Sequence, residues 1–271
     1  MTDEVYKEIF SRNRGLFAEE EQEILRTSTI GIAGTGGVGG LLAERLIRLG
    51  VGGIKITDPD SFEKSNFNRQ FGSTIPNIGK NKSEVIFELI RNINPLARIQ
   101  CSNKGLKSEQ DAADFASGCD VVIDEMDLVA FKESIRLQRA ARKNGSYYLF
   151  GSAIGFGALV AIFDPRGQTL EEYNKLAPDI DVDEISKPII TFEKALPYMP
   201  SYAPSVIDRL GKEMSSGKFA LPTTSIGAGI AAVLAANEAI NILLKKREIV
   251  TAPKYTYIDL IDRKFFIGEM K

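Results

Sequence analysis

Residues 29–40 read Thr29-Ile30-Gly31-Ile32-Ala33-Gly34-Thr35-Gly36-Gly37-Val38-Gly39-Gly40, and the fold is read outward from that run. Its first five residues are β-rich and apolar enough for a buried strand, and residues 38–49 repeat apolar side chains at helical spacing. Gly34, Gly36 and Gly37 lie between the two, and Gly39 opens the helix. Glycines permit a tight turn there and let backbone N–H groups approach a phosphate at the helix N-terminus, where the dipole favours anions. Asp58 ends the next strand, residues 54–57, and lies 19 residues past Gly39, the spacing expected of a carboxylate on a ribose hydroxyl. The pattern predicts a nucleotide site; the competing reading is a glycine-rich strand–helix corner without a ligand.

Further along, helical patterns at 82–93, 109–117 and 131–143 alternate with strand patterns at 98–101, 121–124 and 147–151. Such alternation implies right-handed βαβ crossovers, hence an α/β, Rossmann-like fold with a mostly parallel, doubly wound sheet. Residues 158–163 add a strand. Residues 164–222 then carry seven of the 11 prolines and an acidic stretch at 179–184. An Ala-rich helix resumes at 227–246, and residues 254–268 read as a C-terminal antiparallel hairpin. The expectation is one domain: an N-terminal helical segment (1–28), a nucleotide-binding core (29–165), an inserted variable crossover segment (166–222), and a terminal helix with hairpin (223–271).

The stretch Asp58-Pro59-Asp60 is followed by Ser65-Asn66-Phe67-Asn68-Arg69-Gln70 and then by Gly79-Lys80-Asn81-Lys82. A dinucleotide needs no arginine and lysine aimed at its phosphates from this loop. A triphosphate does, because its charge must be spread while the α-phosphorus is attacked. With G-x-G-G-x-G, D-x-D, S-N-x-x-R-Q and G-x-x-K in this order, the chain resembles the ThiF/MoeB family of ubiquitin-activating-type adenylyltransferases over residues 12 to about 165. The resemblance implies that ATP lies against Gly34, Gly36, Gly37 and Gly39, with Gly37 approaching the nucleotide and Asp58 holding the ribose. Asp60 would bind or only shape the loop. Ser65, Asn66, Arg69 and Gln70 would line the triphosphate, with Arg69 the main charge partner, and Lys82 rather than Lys80 would reach the phosphates. Asp124-Glu125-Met126-Asp127 resembles the family's D-x-x-D element, which implies Mg²⁺ at Asp127 with Asp124 in support; N-capping of the following helix is the alternative. Ser11-Arg12-Asn13-Arg14 resembles an R-x-x-R segment with its first arginine replaced. The resemblance makes Arg14 a finger reaching a partner's ATP and implies a homodimer; ordinary surface is the other reading.

Composition narrows the chemistry. The 271 residues contain no histidine, which excludes a Ser-His-Asp triad, a histidine base and a histidine-ligated metal. Adenylation tolerates this, because an ionised carboxylate is its own nucleophile and pyrophosphate leaves as an anion. The resemblance makes Arg14, Arg69, Lys82 and Asp127 the expected catalytic set. The two cysteines, Cys101 and Cys119, form no C-x-x-C pair, so no zinc is expected, and their strand contexts predict buried core positions. No cysteine falls in 164–225, where many relatives carry an acyl-accepting thiol, so a separate nucleophile would receive the acyl group. A formal charge of -2 argues against nucleic acid and anionic membranes as partners. MTDEVYKEIF has no leader character, and no apolar run reaches the 18 or so residues of a membrane span, so a cytoplasmic protein is expected.

Tyr173, Phe192, Tyr198, Tyr202 and Phe219 in the inserted segment would line a groove for the tail of a ubiquitin-like protein or peptide, or pack as a cap. Two other functions stay open: a nucleotide-binding scaffold for such a partner, and an NAD-dependent oxidoreductase on the same glycine loop.

Overall fold

A computed structural model describes residues 3–185, 198–206 and 222–270. Eight strands form one sheet: β1 (Thr29–Ala33), β2 (Gly53–Thr57), β3 (Arg98–Ser102), β4 (Val121–Asp124), β5 (Tyr147–Ile154), β6 (Gly157–Phe163), β7 (Lys254–Asp259) and β8 (Lys264–Glu269). Their spatial order is β3-β2-β1-β4-β5-β6-β7-β8, with β1 to β5 parallel and the rest antiparallel. The described helices are α1 (Asp3–Ile9), α2 (Glu19–Thr27), α3 (Gly39–Leu49), α4 (Lys82–Ile93), α5 (Glu109–Ala116), α6 (Phe131–Asn144), α7 (Leu170–Tyr173) and α8 (Ser225–Leu244). The Rossmann-like expectation and the C-terminal hairpin are both met.

Side-chain alternation along the strands builds a core on each face of the sheet. Ile30, Ile32, Ile54, Ile56 and Ile123 pack with α3, α4 and α8 on one face. Val122, Tyr148, Leu159 and Phe163 pack with α5, α6 and α7 on the other. The strand order reverses between β1 and β4, so the crevice at their carboxyl ends is where an open α/β sheet receives a ligand.

Two expectations are corrected and a third is narrowed. Cys101 is exposed, because β3 is an edge strand with a neighbour on one side only; Cys119 is buried as expected. Helix α8, 20 residues long, is long and apolar enough to span a membrane, contrary to the sequence reading. Within the fold, 61% of its apolar window is buried, against β5, β6 and α3. For Tyr198 and Tyr202 the cap, the second of the two readings, describes the contacts among the described residues. Tyr198 packs on the Tyr257 and Phe266 rings, and the Tyr202 hydroxyl donates to Asp259 Oδ2 (2.7 Å) and accepts from the Phe156 N–H (2.9 Å). Phe192 and Phe219 lie outside the described residues.

Candidate active site

The glycine loop runs from the end of β1 into α3, and its four glycines divide by what surrounds them. Gly34 has φ +90°, and a Cβ there would lie 2.4 Å from the Glu125 carbonyl oxygen. A Cβ on Gly39 would fall 1.9 Å from the Gly34 carbonyl oxygen. These two glycines are dictated by the turn and by close helix–strand packing. Gly36 and Gly37 are not crowded in this way. A Cβ on Gly36 would meet Gln70 Nε2 at 3.6 Å, and one on Gly37 the Arg69 side chain at 3.5 Å, both ordinary contacts. The loop's approachable surface is thus roofed by Arg69 and Gln70.

Asp58 stands behind this loop. Only 4% exposed, its Oδ2 accepts the Thr35 backbone N–H at 2.7 Å and Oδ1 accepts the Asp60 N–H at 2.9 Å. Burial raises its carboxyl above the usual range, and the Thr35 and Asp60 N–H groups partly offset this. In this geometry Asp58 holds the loop's shape, a role the ribose assignment did not include. Asp60 pairs with the site's lysine, its Oδ2 lying 2.9 Å from Lys82 Nζ. The Lys82 side chain is only 11% exposed and Asp60 is 60% exposed, so the pair sits at a rim with the lysine inside.

Lys82 is placed by the start of α4. Asn81 caps that helix by accepting the Glu84 N–H, and its Nδ2 donates to the Asp58 and Asp60 carbonyls (2.8 and 3.1 Å). This ties the Asp58–Ser61 loop to the helix that carries the lysine. Lys80 turns away to Asn77 (3.1 Å). Asn66 is buried and shapes its turn by accepting the Glu63 N–H at 2.9 Å; Ser65 is exposed beside it. Arg69 Nη1 donates to the Ser65 carbonyl (3.2 Å) and to Asn68 Oδ1 (2.8 Å). Asn68 in turn donates to the Thr223 carbonyl at the head of α8 (3.2 Å), which anchors the arginine loop to the sheet's other half. Gln70 is 8% exposed, and its Oε1 has no partner among the described residues. An orphaned buried oxygen beside Gly36 is what a ligand at the loop would satisfy.

Beyond β4, the Asp124 carboxylate is buried, accepting from the Tyr148 hydroxyl (2.5 Å) and the Met126 N–H (2.9 Å). Burial raises both the Asp124 carboxyl and the Tyr148 hydroxyl. Asp127 is exposed and occupies the N-cap position of a short 3₁₀ turn, Leu128–Ala130, without a side-chain capping bond. Capping therefore does not consume its carboxylate. No cluster of three metal-ligating side chains occurs among the described residues. Mg²⁺ does not require one, since it binds through one or two carboxylates plus substrate phosphates and water. Asp127 fits that donor set.

Arg14 is not brought to this site. Neighbouring Asn13 donates to the Leu49 carbonyl (3.3 Å) at the far end of α3, and that 11-residue helix separates it from the glycine loop by about 16 Å.

The chain's residues 10–271 match the model of the ThiF family. It is a member of that family. A tRNA threonylcarbamoyladenosine dehydratase from Bacillus subtilis is 35% identical over 123 residues, 45% of this chain and 48% of the relative. A sulfur carrier protein adenylyltransferase from Thermus thermophilus is 31% identical over 144 residues, 53% of this chain and 52% of the relative. The chain thus spans about half the length of these curated relatives. Escherichia coli MccB solved with ATP superposes with a TM-score of 0.71 at 19% identity, covering 99% of this chain and 72% of that one. At that identity the match shows the shared fold.

Sequence reasoning missed Thr35, Asn68, Asn81 and Glu125. Asn81 carried a signal, a helix-capping residue directly before an amphipathic run. Glu125 carried none: its Oε1 is shut off from water and unpartnered beside Gly151, a contact made only by the folded sheet.

Proposed function

We propose that this chain is an ATP-dependent adenylyltransferase that activates a carboxylate: R–COO⁻ + ATP → R–CO–AMP + PPi. The observation that carries the reading is the positive charge converging on an open glycine loop, with Arg69 against Gly37 and Lys82 held inside by Asp60. The substrate carboxylate attacks the α-phosphorus, the bond to the β-phosphate oxygen breaks, and no proton moves. Positioning and charge stabilisation are what the site needs to supply. Arg69 and Lys82 would stabilise the charge that develops on the phosphates. Mg²⁺, held through Asp127 and the nucleotide, would neutralise phosphate charge.

The substrate we propose is the carboxyl terminus of a peptide or small ubiquitin-like protein. A relative named for a sulfur carrier protein supports this, as does the formal charge of -2, which offers no field for tRNA. We further propose a homodimer in which Arg14 serves the partner's site, since its position excludes it from its own. Arg69→Ala tests the reading. Turnover should fall about 10²–10³-fold with the melting temperature unchanged, because a half-buried loop arginine outside both core clusters contributes charge rather than core. Unimpaired turnover in that variant would contradict it.

A further inference from the structure

A cavity of about 70 Å³ opens beside Asp127 and is used by none of the chemistry above. It lies on the α6 face of the sheet, at the carboxyl ends of β4 and β5, and α7 closes its far side. Its deep walls are Phe131, Tyr148 and Leu159, all buried, joined by Phe150 and Tyr173. Asp127 is exposed, so the mouth of the cavity is at the residue that fits the metal. Two hydroxyls, Ser134 from α6 and Ser152 from β5, line it from different elements.

We infer that this cavity is the specificity pocket for the residue whose carboxylate is activated, and that it takes a short, uncharged side chain; this rests on the adenylation reading. Size sets the upper limit. A cavity of roughly 150 Å³ admits benzene, so 70 Å³ holds a small branched or hydroxylated side chain but not an aromatic ring. Charge sets the next limit. Asp127 at the mouth and Asp124 within repel an acidic side chain. Asp124 already accepts from Tyr148 and Met126, so it does not call for a basic partner, and the space is too short for a lysine or arginine. Ser134 donates to the Ala130 carbonyl at 3.2 Å and is also engaged with the Asp124 carboxylate and the Tyr148 hydroxyl, so Ser152 is the hydroxyl-bearing side chain left to meet a ligand hydroxyl. A terminal glycine would leave the pocket unfilled.

The test uses mimics of the acyl adenylate: sulfamoyl adenosines bearing N-acetylated glycyl, valyl, threonyl, phenylalanyl or aspartyl groups, titrated into the full chain by calorimetry. The valyl and threonyl compounds should bind at least about tenfold more tightly than the glycyl one, the gain expected from filling a small pocket. The phenylalanyl and aspartyl compounds should show no gain. Ser152→Leu and Ser134→Leu fill the cavity from separate elements, and each should return the valyl and threonyl compounds to the glycyl level with glycyl affinity unchanged. Unchanged glycyl affinity also reports that the variant is folded. Equal binding of glycyl, valyl and phenylalanyl compounds would overturn the pocket and leave adenylation standing, as would a preference that survives both substitutions. Failure of every compound, glycyl included, would overturn both.

Discussion

At the scale of single residues, the four glycines of the loop separate into two pairs with opposite expectations. Gly39→Ala drives a methyl group into the Gly34 carbonyl; it should cost about 3 kcal/mol or more, or about 6–12 °C in melting temperature. Gly36→Ala meets only ordinary contacts, so it should melt within about 1–2 °C of the wild type yet bind ATP at least about tenfold more weakly. Thermal melts and calorimetry on the two variants check this contrast. Asp58 gives the pH dependence. Its carboxyl is raised by burial, so the unfolded chain ionises first. Stability therefore falls as pH rises from the ordinary aspartate range through the folded value, then levels off. Asp58→Asn should lose that slope, and should also be less stable above it by about 1–3 kcal/mol, because one of two backbone N–H groups would face an amide NH₂. Denaturant titrations between acid and neutral pH read both effects. Much of this site was legible beforehand, because Arg69, Lys82, Asp58 and Asp127 carry charge at telling distances along the chain. Thr35 was not, since its role arises from a contact across 23 residues of sequence.

Among the elements, α8 joins the two halves of the sheet to the arginine loop. Thr224 caps it, accepting the Gly227 N–H at 3.1 Å and donating to the Gly155 carbonyl at 2.8 Å. Thr224→Ala should cost about 1 kcal/mol, or about 2–4 °C. Because Thr223 receives the Asn68 bond, ATP affinity should weaken along with stability. A loss of stability with ATP affinity untouched would show that the cap and the arginine loop are independent. The helices and strands outside 166–222 were readable because period and capping agree, as where Asn81 precedes α4 and Thr224 precedes α8. Burial was less readable. Cys101 has a core residue's neighbours in sequence, and only the sheet order reveals that β3 has an open edge. For Tyr198 and Tyr202 sequence left groove and cap open, and the rings of β7 and β8 and the Asp259 carboxylate are what they pack against.

For the whole molecule, the proposed homodimer makes Arg14 the one candidate residue supplied by a partner. Mixing Arg14→Ala with Asp127→Ala subunits should restore about half of wild-type activity per site in verified heterodimers, since each hybrid keeps one complete site of two. No recovery would place Arg14 outside the mechanism. The central claim is carboxylate adenylation, and ATP–pyrophosphate exchange with labelled pyrophosphate and Mg²⁺ tests it most directly. The full chain would be assayed across a panel of small ubiquitin-like proteins and peptides with free carboxyl termini. The account predicts exchange that depends on one member of the panel and disappears in Arg69→Ala. Binding of NAD without binding of ATP, or ATP binding with no exchange for any carboxylate, would contradict it.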